Sequence, residues 1–160
     1  VYTDGREFVM ADIPGLIEGA HAGYGLGTRF LGHVERTRVL LHMVDGTSET
    51  VLPDFKTVRE ELKLYGEGLA DKPYIIGLNK IDALDPADAK KKITSLKRSA
   101  KVPVFGLAAA TGEGVQEVIR ALLGVIMEDR AAEAERLSPP ENPFAVPPPE
   151  MEAPGRDDDT

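Results

Sequence analysis

The sequence contains no cysteine and no tryptophan. Without thiols there is no disulfide framework, no thiolate metal site and no cysteine nucleophile. No run of about 18 apolar residues occurs, so no segment reads as a membrane-spanning helix. The start lacks a basic stretch leading into an apolar one, so no secretory signal is visible, and a cytoplasmic protein is expected. The three histidines, His21, His33 and His42, do not fall at metal-ligand spacing. His42 lies in an apolar run and reads as a packed core residue. What is present is a chain of 160 residues with 42% hydrophobic and 29% charged residues, enough for one folded domain with its own core.

The net charge of -8 is unevenly spread. From Leu137 onward six acids face one base, a balance of -5 that leaves -3 for the body. The same stretch holds seven of the twelve prolines, which remove backbone donors and favour extended conformations. Residues 137–160 are therefore expected to be a disordered acidic tail, and residues 1–136 the folded domain. The tail is either a plain solvated terminus or a segment that binds a partner.

Within the body, apolar runs alternate with amphipathic segments. Strands are predicted at Glu7–Ala11, Val39–Val44, Pro73–Leu78 and Val102–Leu107. Helices are predicted at Arg29–Arg38, Asp54–Leu69, Pro86–Ala100 and from Val115 to about Arg136, with the end after Met127 frayed. Pro86 suits a first helical turn. Buried strands alternating with helices specify an α/β fold, a mostly parallel sheet between helical layers. Ligands of such sheets bind beyond the carboxyl ends of the strands. Three polar motifs fall there: after Ala11, after Leu78 and after Leu107.

The first motif is Asp12-Ile13-Pro14-Gly15. A carboxylate there can hold hydrated Mg²⁺, and a glycine lets a backbone N–H approach a phosphate; it can equally be an ordinary turn. The second is Asn79-Lys80-Ile81-Asp82. Guanine presents two donors on one edge, N1–H and its N2 amine, and a fixed carboxylate such as Asp82 accepts from both. Adenine offers no such pair. The alternative is a capped turn with Lys80 in solvent. The third is Ala108-Ala109-Ala110 before Thr111-Gly112. Small side chains there let a backbone N–H reach guanine O6, although three alanines can also be mere packing. Lys90, Lys91, Lys92, Lys97 and Arg98 make a basic stripe, read either as a solvated helix face or as an rRNA contact.

The order D-x-x-G, N-K-x-D and a small-residue loop, each at a strand end, resembles the G domain of P-loop GTPases. The stretches Asp12 to Ala20, Gly25-Leu26-Gly27, Phe30-Leu31 and Glu35 to His42 are similar to the Obg family of bacterial GTPases, and the resemblance covers about residues 7–130. It implies a three-layer P-loop-type G domain that binds GTP and GDP with Mg²⁺ and hydrolyses GTP slowly. It also implies a monomer that associates with the large ribosomal subunit and its rRNA during assembly, with links to growth control. Carried over by position, Asp12 would hold Mg²⁺ through water and Gly15 would donate to the γ-phosphate. Ile13 and Pro14 complete that loop. Asn79, Lys80 and Asp82 would read guanine with Ile81 between them, and Ala108, Ala109 and Ala110 would close the base pocket. Other readings are a non-catalytic ribosome- or RNA-interaction module, or another ribosome-assembly or tRNA-modification GTPase of the superfamily.

Two departures bear on activity. Leu16 stands where Ras-like proteins carry the glutamine that orients water, so the resemblance implies a low hydrolysis rate. Ala108 replaces the family's usual serine, which removes a hydroxyl and about 1 kcal/mol of hydrogen bonding. A G-x-x-x-x-G-K-[ST] motif is absent, and Thr3 lies too near the first strand to serve as a switch-I threonine. The chain is thus expected to be the C-terminal portion of such a GTPase, N-terminally truncated, and inactive by itself without the phosphate-cradling loop. Loss of the first strand and helix is expected to leave apolar surface exposed.

Overall fold

The computed structural model describes residues 1–12, 37–65 and 68–137. Ile13, Pro14, Gly15, Leu16, the predicted helix as far as residue 36, and the acidic tail beyond Leu137 lie outside these residues.

The chain opens with a small hairpin, β1 (Tyr2–Thr3) and β2 (Arg6–Glu7), paired antiparallel. Asp4 and Gly5 turn it with φ of 49° and 75°. Two successive positive φ values match the right-handed twist of a two-residue hairpin, and Asp-Gly is among the pairs that tolerate them. This differs from the predicted strand at Glu7–Ala11. Glu7 pairs back onto Tyr2, Phe8 exchanges backbone hydrogen bonds with Val1 at 3.0 and 2.9 Å, and residues 9–12 join no ladder. Val9 is 94% exposed and Met10 48%. An apolar run specifies burial but not which backbone edge will pair with it, and here the local turn takes the available partner. Asp12 consequently follows a segment without regular structure, not a strand of the main sheet.

That sheet comprises β3 (Leu40–Asp45), β4 (Tyr74–Asn79) and β5 (Val104–Gly106), all parallel, in the order β3-β4-β5. Three helices cover it: α1 (Val51–Tyr65), α2 (Pro86–Ala100) and α3 (Val115–Leu137). Strand periodicity assigns the faces. Val44, Ile76, Leu78 and Val104 pack with Val51 and Phe55 of α1 and Leu96 of α2. Ile75 and Leu107 pack on the other side with Val118 and Leu122 of α3. The central strand is therefore sealed on both faces, and Ile75, Ile76 and Leu78 are fully buried. This is the three-layer α/β arrangement that alternating apolar strands and amphipathic helices dictate.

Helix boundaries follow local chemistry. Asp85 caps α2 by accepting from the Ala87 N–H at 2.9 Å, with Pro86 in the first turn. Lys101 ends α2 in the left-handed conformation. α1 begins three residues before the predicted start because Pro53 sits inside its first turn, where the missing N–H has no intrahelical partner to lose. A separate 3₁₀ turn, Leu69–Asp71, buries Leu69 beside Leu40 and Leu62. α3 runs unbroken to Leu137, so the stretch after Met127 is helical; Arg38 pairs there with Asp129 and Glu133. Among the described residues no helix is long and apolar enough to cross a membrane.

Candidate functional site

The polar residues gather at the carboxyl ends of β3, β4 and β5. Parallel strands in register bring Asp45 opposite Asn79, so the chain leaves both strands at one level. β5 ends beside them, because Leu78 pairs with Gly106. Three loops then diverge from a common edge.

The loop after β4 carries Asn79, Lys80, Ile81 and Asp82. Lys80 takes the left-handed conformation, with φ 64° and ψ 35°. This is costly for a residue with a Cβ and is sustained by its surroundings. A 3₁₀ turn, Ile81–Ala83, follows, closed by the Ala83 N–H donating to Lys80 O at 3.1 Å. The turn is fastened to the third loop by the Ile81 N–H donating to Leu107 O at 3.3 Å. The sharp reversal presents Lys80 and Asp82 to solvent while Ile81 packs against the core.

The loop after β5 is held just as closely. Ala108 is buried, and its N–H donates to Glu113 O at 2.9 Å. The Gly112 N–H returns to Ala108 O at 2.9 Å, so Ala108 to Gly112 forms a compact turn with Ala109 and Ala110 at its exposed tip. The Ala109 N–H donates to Asn79 Oδ1 at 3.0 Å. Asn79 thus ties the second loop to the third. The same bond engages the amide expected to meet guanine O6, so a base would have to share or displace it.

Asp45 is the last residue of β3. Its Oδ2 accepts from Lys80 Nζ at 2.6 Å, and its Oδ1 accepts from the Thr47 N–H at 2.9 Å and the Thr47 hydroxyl at 2.7 Å. The Lys80 hydrogen bond, then those from Thr47, hold its pKa down to about 2. The signal that could have found it is the one used for the other motifs, a carboxylate closing a buried strand. Gly46 follows, and its N–H donates to Asn79 O at 2.8 Å. A Cβ on Gly46 would lie 2.6 Å from that same oxygen, so only glycine permits this approach. Lys92 reaches across from α2 to donate to Gly46 O at 2.7 Å and Ser48 O at 3.1 Å. It therefore belongs to the loop scaffold and leaves the basic stripe to its neighbours.

His42, within β3, packs against Phe55 with ring centroids 5.0 Å apart and the rings tilted by 35°. Burial, assisted by the charge of Arg59, pushes its pKa down to about 4. Its Nδ1 is buried with no hydrogen-bond partner among the described residues. The sequence predicts a packed histidine here, and its lowered pKa keeps it neutral.

Asp12 is exposed. Among the described residues no three histidine, aspartate or glutamate side chains cluster as a metal site would require. Among the described residues the donor set therefore does not fit a resident, protein-caged metal. It fits an ion arriving on a ligand's phosphates, because Mg²⁺ keeps several waters and is commonly held through one carboxylate.

A family model described as 50S ribosome-binding GTPase matches residues 1–80, half of the chain, and so includes Asp12, Asn79 and Lys80. Among solved structures, the chain is similar to nucleolar GTP-binding protein 1 of Plasmodium falciparum, with 24% identity and a TM-score of 0.47. That match covers 78% of this chain, and the chain spans 66% of the length of that protein.

Proposed function

The chain belongs to the 50S ribosome-binding GTPase family, and from that premise we propose that it carries the guanine-reading part of an Obg-type GTPase acting in large ribosomal subunit assembly. In this reading residues 1–136 are part of the G domain and residues 137–160 an acidic tail. In its intact form such a GTPase takes GTP and GDP with Mg²⁺ and hydrolyses GTP slowly, as a cytoplasmic monomer, whereas the 160-residue chain, which has no G-x-x-x-x-G-K-[ST] motif, is inactive by itself. Asp82 accepts from guanine N1–H and N2, the Lys80 stem lies along the base or ribose, and Ala108 to Ala110 bound the pocket. Bound Mg²⁺ would supply charge compensation on the phosphates. Asp12 would hold it through water, with Ile13, Pro14 and Gly15 forming the phosphate-facing loop.

The observation that carries the reading is the Asn79–Ala109 bond at 3.0 Å. It joins the two loops that a guanine-specific site needs beside each other, and it leaves Asp82 exposed next to them. A carboxylate beside backbone amides distinguishes guanine from adenine by the pattern of donors offered, and mismatched polar groups are penalised heavily.

The test is an NMR titration of the 160-residue chain with GMP and AMP at millimolar concentration. GMP should shift the amides of Asn79, Asp82 and Ala109, while AMP leaves them in place. In Asp82→Asn the preference should pass to XMP, because the amide supplies a donor where the carboxylate only accepted. Equal shifts by GMP and AMP, or an unchanged GMP preference in Asp82→Asn, would refute the role given to Asp82.

A further inference from the structure

One surface is left unused by the nucleotide site: the outer face of α2. Ala89 and Leu96 turn inward and are buried. The opposite side carries Lys90, Lys91, Lys97, Arg98 and the capping Lys101, all exposed. Lys90, Lys97 and Lys101 follow the i, i+7, i+11 spacing of a single helical stripe, and Lys91 and Arg98 run parallel to it seven residues apart. From Lys90 to Lys101 the stripe extends over about 16 Å, the last two-thirds of the helix and its cap.

Two features separate this face from an ordinary solvated one. Among the described residues none of the five cations forms an ion pair; the pairs present involve Arg38, Lys80 and Arg120. Exposed helices usually gain a few tenths of a kcal/mol from each opposite-charge pair at i, i+4. Here Lys97 has Lys101 at that position and Arg98 has Lys101 at i+3, like-charge neighbours that repel. The helix terminus attracts the last-turn cations, but that does not account for Lys90 and Lys91. The second feature is contrast. A chain of net charge -8 concentrates five positive side chains on one helix whose sole carboxylate is Asp88.

We propose that the outer face of α2, through Lys90, Lys91, Lys97, Arg98 and Lys101, docks on the phosphate backbone of RNA. The partner follows from charge complementarity. A linear row of unpaired cations on an otherwise acidic protein matches a linear polyanion, and a ribosome-binding family meets RNA as its largest polyanion. The contact is with phosphates and not base edges, so it is sequence-tolerant and strongly dependent on salt. It stands apart from the guanine assignment and does not require it.

The experiment uses the 160-residue chain and a labelled single-stranded RNA of about 20 nucleotides, read by fluorescence anisotropy. Five phosphate contacts imply a slope of log K against log salt near -3.5, so binding should weaken about 100-fold between 50 and 200 mM salt. Lys90→Gln/Lys97→Gln/Lys101→Gln should reduce the slope to about -1.4. Arg120→Gln/Arg130→Gln/Arg136→Gln on α3 should leave it unchanged. Should the first triple variant unfold in a urea titration, Lys97→Gln alone reads out as a slope smaller by about 0.7. No RNA binding at 50 mM salt, an equal loss in the α3 variant, or binding of poly-glutamate instead of RNA would each overturn the proposal. Because the GMP titration follows different residues, failure of one experiment leaves the other standing.

Discussion

Replacing Gly46 with alanine tests how closely the strand ends must approach for the site to exist. The new Cβ would sit 2.6 Å from the Asn79 carbonyl oxygen, 3.0 Å from Leu84 Cδ1 and 3.4 Å from Leu78 Cγ. Leu84 can shift, but Asn79 O is backbone at the end of the buried central strand and accepts the Gly46 N–H at 2.8 Å. The clash and the hydrogen bond share one oxygen, so relieving the first lengthens the second. Overpacking of this kind costs about 1–3 kcal/mol, and the strained hydrogen bond adds about 0.5–1.5 kcal/mol. A destabilisation of about 2–4 kcal/mol lowers Tm by roughly 5–15 °C for a chain of this size. Gly124 is the matched control: it lies in α3 with nothing within 4 Å of its built Cβ. Gly124→Ala should therefore stabilise by about 0.5–1 kcal/mol through helix propensity. Calorimetry and urea titration of both variants read the opposite signs directly. A Gly46→Ala protein as stable as the parent would refute the geometry of this loop.

Two further outcomes follow from the same edge of the sheet. The pKa of His42 is lowered from 6.5 to about 4, so the folded state binds fewer protons than the unfolded one between those values. Its contribution is complete above about pH 6.5 and is lost as pH falls towards 4, by at most about 3 kcal/mol. Urea midpoints of His42→Leu at pH 7.5 and 4.5 should differ less than those of the parent; equal pH dependence would remove His42 as the cause. Asp85→Ala deletes the α2 cap bond of 2.9 Å and should cost about 1 kcal/mol in the same titration, while an unaltered midpoint would show that Pro86 alone starts the helix.

The sequence made the three parallel strands, the Pro86–Ala100 helix and the common edge of the second and third motifs legible. Each rests on a strong local pattern: an unbroken apolar run, a proline behind a capping aspartate, or turn residues closing a strand. What stayed hidden needed knowledge of a partner. Val9 and Met10 have the composition of a strand, but composition does not say which edge will pair with them. Pro53 reads as a helix stop, although the first helical turn tolerates it. Lys92 differs from Lys90 and Lys91 only in pointing towards Gly46, a distinction that appears once α2 is placed against the β3 loop. Asp45 is a turn residue until Lys80 is brought to its carboxylate from 35 positions away.

The parallel register carries a kinetic consequence. Leu40 pairs with Tyr74 and Ile76 with Val104, partners 34 and 28 residues apart. No two neighbouring strands of this sheet can meet through a short hairpin, because a parallel pair needs a long crossover. Every contact among the three loops therefore waits on closures that are expensive in chain entropy and slow to form. Partly folded chains would hold their helices before they hold Asn79 against Ala109. A ligand that needs both loops thus recognises only the finished sheet, and by mass action it draws the population towards that state.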